Sequence, residues 1–386
     1  MEFDSRVERV DRVEQKNMRT QRLVVGKENA ERALLEFCDG KSCICLVTGG
    51  ASYELCGAKE FVDKFFKAHP VSTMIHLAVP NANPKVETVQ ALLNEIKGSV
   101  DGFIAVGGGT TIDTAKLLNL AVVSGMPIKE LLTQKTAPEK LLPCMAFPTT
   151  AGTGAEATRF AVCYYGEVKY SIDFEVIRPS DVALVPEFTY SLPQYQTAAT
   201  GFDAYAQAIE SYWAKGATPE SKEYSVRALA YLNILPVLFD SGGAVACEKR
   251  EAMMLGAYWA GRAIDISRTT AAHAYSYILT SRYGIPHGHA VAMIFPYVFK
   301  WTRGFLGGLF ARYAPLLTAF DNWQKIEEAL ALESMARFFN EKYKVNGIKV
   351  IKMLADSVNK KRLSNHPIEL PREMFLEMAS DIGIAK

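Results

Sequence analysis

Two glycine-rich segments carry the first chemical signal in this 386-residue chain. In DGFIAVGGGTTIDTAK (Asp101–Lys116) the apolar run Phe103–Val106 leads into Gly107, Gly108 and Gly109. Three glycines can turn sharply and bring bare backbone N–H groups against an anion. Thr110 or Thr111 is placed to cap the helix that follows, whose positive N-terminal end favours a phosphate. FPTTAGTGAE (Phe147–Glu156) also follows an apolar run. There Thr149, Thr150 and Thr153 supply hydroxyls, and Gly152 and Gly154 leave room for a ligand. Either segment alone reads equally well as a tight strand–helix turn, and neither is GxGxxG or a Walker loop. Two of them at strand C-terminal ends line one crevice of a doubly wound sheet, where a diphosphate binds.

The surrounding pattern supplies such a sheet. Apolar runs at Cys43–Thr48, Thr73–Val79, Phe103–Val106 and Leu142–Phe147 read as strands, and they alternate with helical spacing at Phe61–Ala68 and Pro84–Ile96. Alternation of this kind implies βαβ units, and near-continuous apolar strands fit a sheet covered on both faces. We therefore expect an α/β, Rossmann-like dinucleotide-binding domain over residues 21–189. After Pro193, apolar residues recur at helical spacing in Thr197–Ala214, Ser221–Phe239, Ala246–Ala263 and Thr270–Arg282, punctuated by Gly216, Gly242–Gly243 and Gly284–Pro286. An all-helical metal- and substrate-binding domain is expected over 190–386, and residues 1–20 read as a polar arm.

Composition narrows the class. There are 43 Lys+Arg against 42 Asp+Glu and 49% apolar residues. The net charge of +1 argues against a nucleic-acid surface, and the balance of charge and hydrophobicity against disorder. Apolar stretches such as Leu117–Ile128 fall short of a bilayer span, so no membrane partner is expected. The first residues lack an apolar core, so no signal peptide is expected. The seven cysteines are odd in number and lack zinc-ribbon spacing. They read as reduced buried thiols, so a cytoplasmic location is expected.

The ordered motifs GGGTTIDTAK (Gly107–Lys116), PTTAGTGAE (Pro148–Glu156), TGFDAYAQAIESY (Thr200–Tyr212) and HAYSYILTSRYGIPHGHAVA (His273–Ala292) resemble those of the iron-containing, or group III, alcohol dehydrogenases. The resemblance covers nearly the whole chain. It implies an N-terminal dinucleotide-binding domain and a C-terminal helical domain with a metal in the cleft between them, and a homodimer is expected. Asp113 lies within the first motif and is assigned to the cofactor site. The family's cofactor-contacting Lys, on the strand after PTTAGTG, is best matched by Lys169. Its metal ligands, an Asp, a His four residues on, a His in a second helix and a His in PHG, match Asp203, Gln207, His273 and His287, with Gln207 departing from His. A carboxylate and two imidazoles suit Fe²⁺ or Zn²⁺ and leave positions for a substrate oxygen. Gln207, four residues after Asp203 on one helix face, would be a weak fourth ligand. Tyr277 stands where relatives have another His, so proton transfer through water, Tyr277 or His289 stays open.

Cofactor and substrate follow from further departures. Gly49 occupies the place where members that prefer NAD often carry an Asp; with Ser52 nearby, NADPH is favoured and NADH remains open. The segment before His273 holds Arg268 and Thr269, and Arg159 follows PTTAGTGAE. Arg forms forked bonds to phosphonate or carboxylate. Gln207, ATPESKEYS and SRTTAAHAYSY resemble the phosphonoacetaldehyde reductase branch. The expectation is a metal-dependent NAD(P)H aldehyde reductase acting on a small anionic aldehyde, best phosphonoacetaldehyde giving 2-hydroxyethylphosphonate. Alternatives are a general alcohol dehydrogenase or semialdehyde reductase of the family, a dehydroquinate-synthase-like cyclase, and a non-catalytic cofactor-binding protein.

Overall fold

Alternate residues of the central strands feed two different cores. In the computed structural model, which describes residues 21–80, 83–166, 168–232, 247–306, 342–358 and 363–380, Cys45, Val47, Phe103, Ala105 and Ala146 enter one cluster. Their neighbours Ile44, Leu46, Ile104, Val106 and Met145 enter the other. A strand apolar on both faces is stable only when both are covered. Helices α1 (Lys27–Cys38), α2 (Ala51–Leu55) and α3 (Ala58–Ala68) cover one face. Helices α4 (Val86–Glu95), α5 (Gly109–Ser124) and α6 (Ile128–Leu131) cover the other.

The strands are β1 (Arg22–Val25), β2 (Cys43–Thr48), β3 (Thr73–Ala78), β4 (Gly102–Gly107), β5 (Cys144–Pro148), β6 (Phe160–Tyr165), β7 (Val168–Asp173) and β8 (Asp181–Leu184). Six form a parallel sheet in the order β1-β8-β5-β4-β2-β3, while β6 and β7 make a separate antiparallel pair. From β2 the chain goes to β3 on one side and then to β4 on the other. The topological switch point therefore lies between β2 and β4, at whose ends Gly49 and Gly107 sit.

The chain divides into units Met1–Leu192 and Pro193–Lys386. The second contains α7 (Gln194–Trp213), α8 (Pro219–Leu232), α9 (Cys247–Ser267), α10 (Ala271–Tyr283), α11 (His287–Thr302), α12 (Gly347–Ser357) and α13 (Arg372–Ser380). Helix α7 is buried almost throughout from Thr197 to Trp213, and it packs against α8, α9 and α11. A helix without a polar face belongs in the middle of a bundle. Gly284, with φ 67°, caps α10 in the left-handed region, and Pro286 precedes the first turn of α11. The expected polar arm 1–20, Gly242–Gly243, residues 233–239 of the second expected helix and Ala246 lie outside the described residues. The six cysteines with described side chains are free thiols, and among the described residues no helix is long and apolar enough to cross a membrane.

Candidate dinucleotide cradle and metal centre

In the α/β unit three turns meet at the C-terminal ends of adjacent strands. The Gly49 N–H donates to the Val106 carbonyl at 3.0 Å, and the Thr149 N–H donates to the Gly107 carbonyl at 3.1 Å. The glycines are demanded by close approach. A Cβ on Gly107 would lie 2.4 Å from Thr111 Oγ1, and one on Gly109 would lie 2.6 Å from Thr153 Oγ1. Gly108 is looser, with Thr150 Oγ1 at 3.4 Å from such a Cβ. Gly108 is itself the N-cap of α5 and no side chain caps that helix. Thr110 and Thr111, expected as caps, lie inside its first turn: Thr111 is buried, and Thr110 Oγ1 accepts from the Asn83 N–H. An uncapped N-terminus of a 16-residue helix beside bare glycine backbone suits a diphosphate.

Behind the turns, Lys116 is fully buried. Its Nζ donates to the carbonyls of Ala155 at 2.5 Å, Thr158 at 2.9 Å and Phe160 at 2.7 Å. Asp113 Oδ1 lies 3.6 Å from it, and the Asp113 carboxylate accepts from the Val162 N–H. Asp113 and Lys116 thus tie the segment after PTTAGTG to α5. Burial pushes the Asp113 carboxyl up, against the pull of Lys116, the Val162 N–H and, more weakly, Lys169 on β7. Ser52 is exposed, and its Oγ would lie 2.9 Å from a Cβ on Gly49. Thr149 is buried and Thr150 half-buried. Arg159 is bonded within its own unit, 3.1 Å from Asp173 and 3.3 Å from Glu175.

In the helical unit, Asp203 on α7, His273 on α10 and His287 on α11 converge with ligand atoms all within 4.8 Å of one another. Asp203 Oδ1 is 3.1 Å from His273 Nε2 and 3.8 Å from His287 Nε2. Asp203 and His273 are buried, whereas the His287 side chain is 29% exposed. Burial alone would push the Asp203 carboxyl up, but the two imidazoles outweigh it and hold it low. Burial likewise disfavours charge on His273; Glu210 and Asp203 overcome this and raise it to about 10. One carboxylate and two imidazoles at this spacing form the donor set of a divalent cation such as Fe²⁺ or Zn²⁺. Gln207 is buried one turn after Asp203, and its amide hydrogen-bonds the Asp203 carboxylate.

Gly288 explains how α11 delivers His287. A Cβ there would lie 1.9 Å from the Ala199 carbonyl oxygen and 3.2 Å from Asp203 Cβ, so α11 starts in direct backbone contact with α7. The Tyr277 ring stacks on His287 with centroids 5.7 Å apart and planes at 7°. His289 turns elsewhere: it is buried, its Nδ1 is 2.7 Å from the Tyr195 hydroxyl, and burial pushes it down to about 4. Arg268 follows the last turn of α9 at φ 67°, and its Nη1 donates to the Asp265 carbonyl at 2.6 Å. The backbone carbonyl of Thr269 accepts from Asn365 Nδ2 at 3.0 Å.

Sequence reasoning missed two groups. Glu210 is fully buried and bonded to His273 Nδ1. Its spacing, seven residues after Asp203 on one helix, was the available signal. Asn365 braces the Ser267–Thr269 turn from about a hundred residues away, and no local pattern announces it.

Comparison with known proteins follows the same division. The family description "Iron-containing alcohol dehydrogenase" matches residues 20–186, and "Fe-containing alcohol dehydrogenase family, C-terminal" matches residues 197–379. The NAD-dependent methanol dehydrogenase of Bacillus methanolicus is 33% identical over 220 residues, 56% of this chain and 57% of that protein. The phosphonoacetaldehyde reductase of Streptomyces viridochromogenes is 35% identical over 216 residues, 53% of this chain and 54% of that protein. The match thus spans little more than half the length of these curated relatives. The crystal structure of sulfoacetaldehyde reductase from Bifidobacterium kashiwanohense in complex with NAD+ superposes with a TM-score of 0.79 at 25% identity, covering 97% of this chain and all of the other.

Proposed function

The chain belongs to the iron-containing alcohol dehydrogenase family, and on that premise we propose that it is a metal-dependent, nicotinamide-linked reductase of a small aldehyde. The observation that carries this reading is the convergence of Asp203, His273 and His287. When bound, a divalent cation supplies Lewis-acid polarisation of a carbonyl oxygen and the reduced dinucleotide supplies hydride. The chain's residues do the rest. Asp203, His273 and His287 hold the cation, with Gln207 steadying the Asp203 carboxylate. Gly107, Gly108, Gly109, Thr110 and the N-terminal end of α5 receive the diphosphate. Thr149, Thr150 and Thr153 offer hydroxyls beside it, and Lys169 with Asp113 borders it. Tyr277, stacked on His287, holds the proton that the product oxygen takes up; His289, buried and neutral against Tyr195, supports the helix packing. Gly49 puts no acidic side chain where a 2′-phosphate would lie and exposed Ser52 offers a donor, so NADPH is preferred over NADH. Replacing His273 or His287 by Ala removes both bound metal and turnover. Either variant with near-normal activity after chelation would falsify the metal reading.

For the substrate we propose an anionic two-carbon aldehyde, best phosphonoacetaldehyde reduced to 2-hydroxyethylphosphonate. Support comes from likeness to a phosphonoacetaldehyde reductase and a sulfoacetaldehyde reductase. It comes too from Arg268 and Thr269 directly before the His273 helix. A second reading, a dehydrogenase of neutral alcohols, draws on the methanol dehydrogenase likeness and on Arg159 and Arg268 being bonded within their own units. Arg268→Gly separates the two, because glycine keeps the left-handed turn while removing the guanidinium. On the anionic reading kcat/KM for phosphonoacetaldehyde drops at least about tenfold, the equivalent of about 1.4 kcal/mol. Propanal reduction stays level. Equal losses on both aldehydes mark a structural role for Arg268, and a wild type that prefers neutral aldehydes to any anionic one favours the neutral reading.

A further inference from the structure

Glu210 lies outside the candidate ligand set, yet it is fully buried in the last turn of α7, and its side-chain partners among the described residues are donors. Its Oε2 is bonded to His273 Nδ1. Its Oε1 accepts from the Thr270 hydroxyl at 2.6 Å and from the Ala272 backbone N–H at 2.8 Å. The direction of the hydroxyl proton is fixed as well. Trp213 Nε1, which can only donate, reaches Thr270 Oγ1 at 2.9 Å, so the Thr270 proton points to Glu210. A backbone N–H cannot reverse its role, and the hydroxyl has been committed by the indole. Oε1 must therefore accept from both, and Glu210 as a carboxylate is an acceptor at Oε2 too, so the His273 ring is held with its Nδ1–H turned inward.

We propose that Glu210 is a positioning residue for the metal centre, locking the ring orientation and tautomer of His273 so that Nε2 presents its lone pair beside Asp203 and His287. This inference rests on the metal reading above. Carboxylates behind metal-bound imidazoles act in this way in general, and their loss typically weakens metal binding by about 10- to 100-fold. The donor-only surroundings add a consequence special to this chain: glutamine is no substitute, though it has the same shape. If its oxygen faces Ala272 and Thr270, its NH₂ confronts His273 Nδ1 and favours the tautomer with the proton on Nε2, against the metal. If its oxygen faces His273, its NH₂ abuts the Ala272 N–H, donor against donor.

The test is metal affinity of the purified full-length protein, measured with Zn²⁺ against a chromophoric chelator and with Co²⁺ by its visible absorption band. For Glu210→Gln we expect metal binding weaker by about 10- to 100-fold with an altered Co²⁺ band, and circular dichroism like the wild type. Thr270→Val, which removes only one of the three donors, should weaken binding by about fivefold, the weight of one hydrogen bond. It supplies the answer if Glu210→Gln fails to fold. Zn²⁺ affinity and a Co²⁺ band unchanged in a folded Glu210→Gln, or unchanged in Thr270→Val where the former does not fold, overturn the proposal. A wild type that binds neither ion overturns the metal reading instead, so the two failures are distinct.

Discussion

Residue 207 is the side chain through which the proposed metal centre would be tuned. A glutamine amide hydrogen-bonds the Asp203 carboxylate where an imidazole would present a nitrogen lone pair. Gln207→His adds a basic ligand one turn from Asp203, and metal affinity should rise on the order of tenfold, the equivalent of about 1.4 kcal/mol. Chelator competition measures it, and unchanged affinity means that position 207 does not face the ion. In the other unit, Gly108 is the glycine of the turn with room to test. Gly108→Val puts a branched side chain where backbone should meet diphosphate. The Michaelis constant for cofactor should rise well above that of the wild type while the melting temperature stays within a few degrees; normal cofactor binding excludes Gly107–Gly109 as the site.

At the scale of elements, the helix crossing at Gly288 sets the distance between Asp203 and His287. Gly288→Ala must push α11 away from the Ala199 carbonyl. Overpacking of this kind costs typically 1–3 kcal/mol. A lower melting temperature together with weaker metal binding is expected, and loss of stability with metal affinity intact would separate the crossing from the centre. The strands and the first helices were legible because their apolar runs have one period and glycines end them. Helix α11 was not: HGHAVAMIFPYVFKWT is apolar almost throughout, carries Pro296 inside, and gives no helical stripe. The antiparallel pair β6–β7 was hidden for a related reason, since Tyr165 and Val168 are exposed apolar residues that blur its alternation. Three candidate ligands were legible only as residue types in a familiar order. That Arg268 bends back on its own helix was invisible, because a left-handed arginine is a property of the turn that Asn365 braces.

For the molecule as a whole, the two units should answer acid in opposite senses. In the helical unit burial holds His289 and His366 down at about 4, below the ordinary 6.5. The unfolded chain takes up protons below pH 6.5 that the folded one refuses until about pH 4. This stability is therefore present above pH 6.5 and lost as the pH falls, by up to roughly 3 kcal/mol per histidine. In the α/β unit burial raises Glu156 from 4.5 to about 7, so its contribution is full below pH 4.5 and is lost as the pH rises through 7. All four tryptophans, Trp213, Trp259, Trp301 and Trp323, lie beyond residue 192. Denaturant melts followed by their fluorescence read the helical unit alone. Their midpoint should fall between pH 7 and pH 4.5, and His289→Gln with His366→Gln should flatten the slope; a flat wild-type profile refutes the account.

The buried ammonium of Lys116 has a kinetic consequence. It is enclosed by three carbonyls of the Ala155–Phe160 stretch, so an acylating reagent reaches its amine only when that stretch lifts from α5. The exposed lysines among the described residues of the α/β unit, such as Lys59 and Lys64, react while it is folded, and Lys116 waits for an opening event. Its labelling rate, read by peptide mass, is then a clock for local breathing of the PTTAGTG segment. A dinucleotide resting on Thr149, Thr150 and Thr153 should slow that clock without changing the rate at exposed lysines.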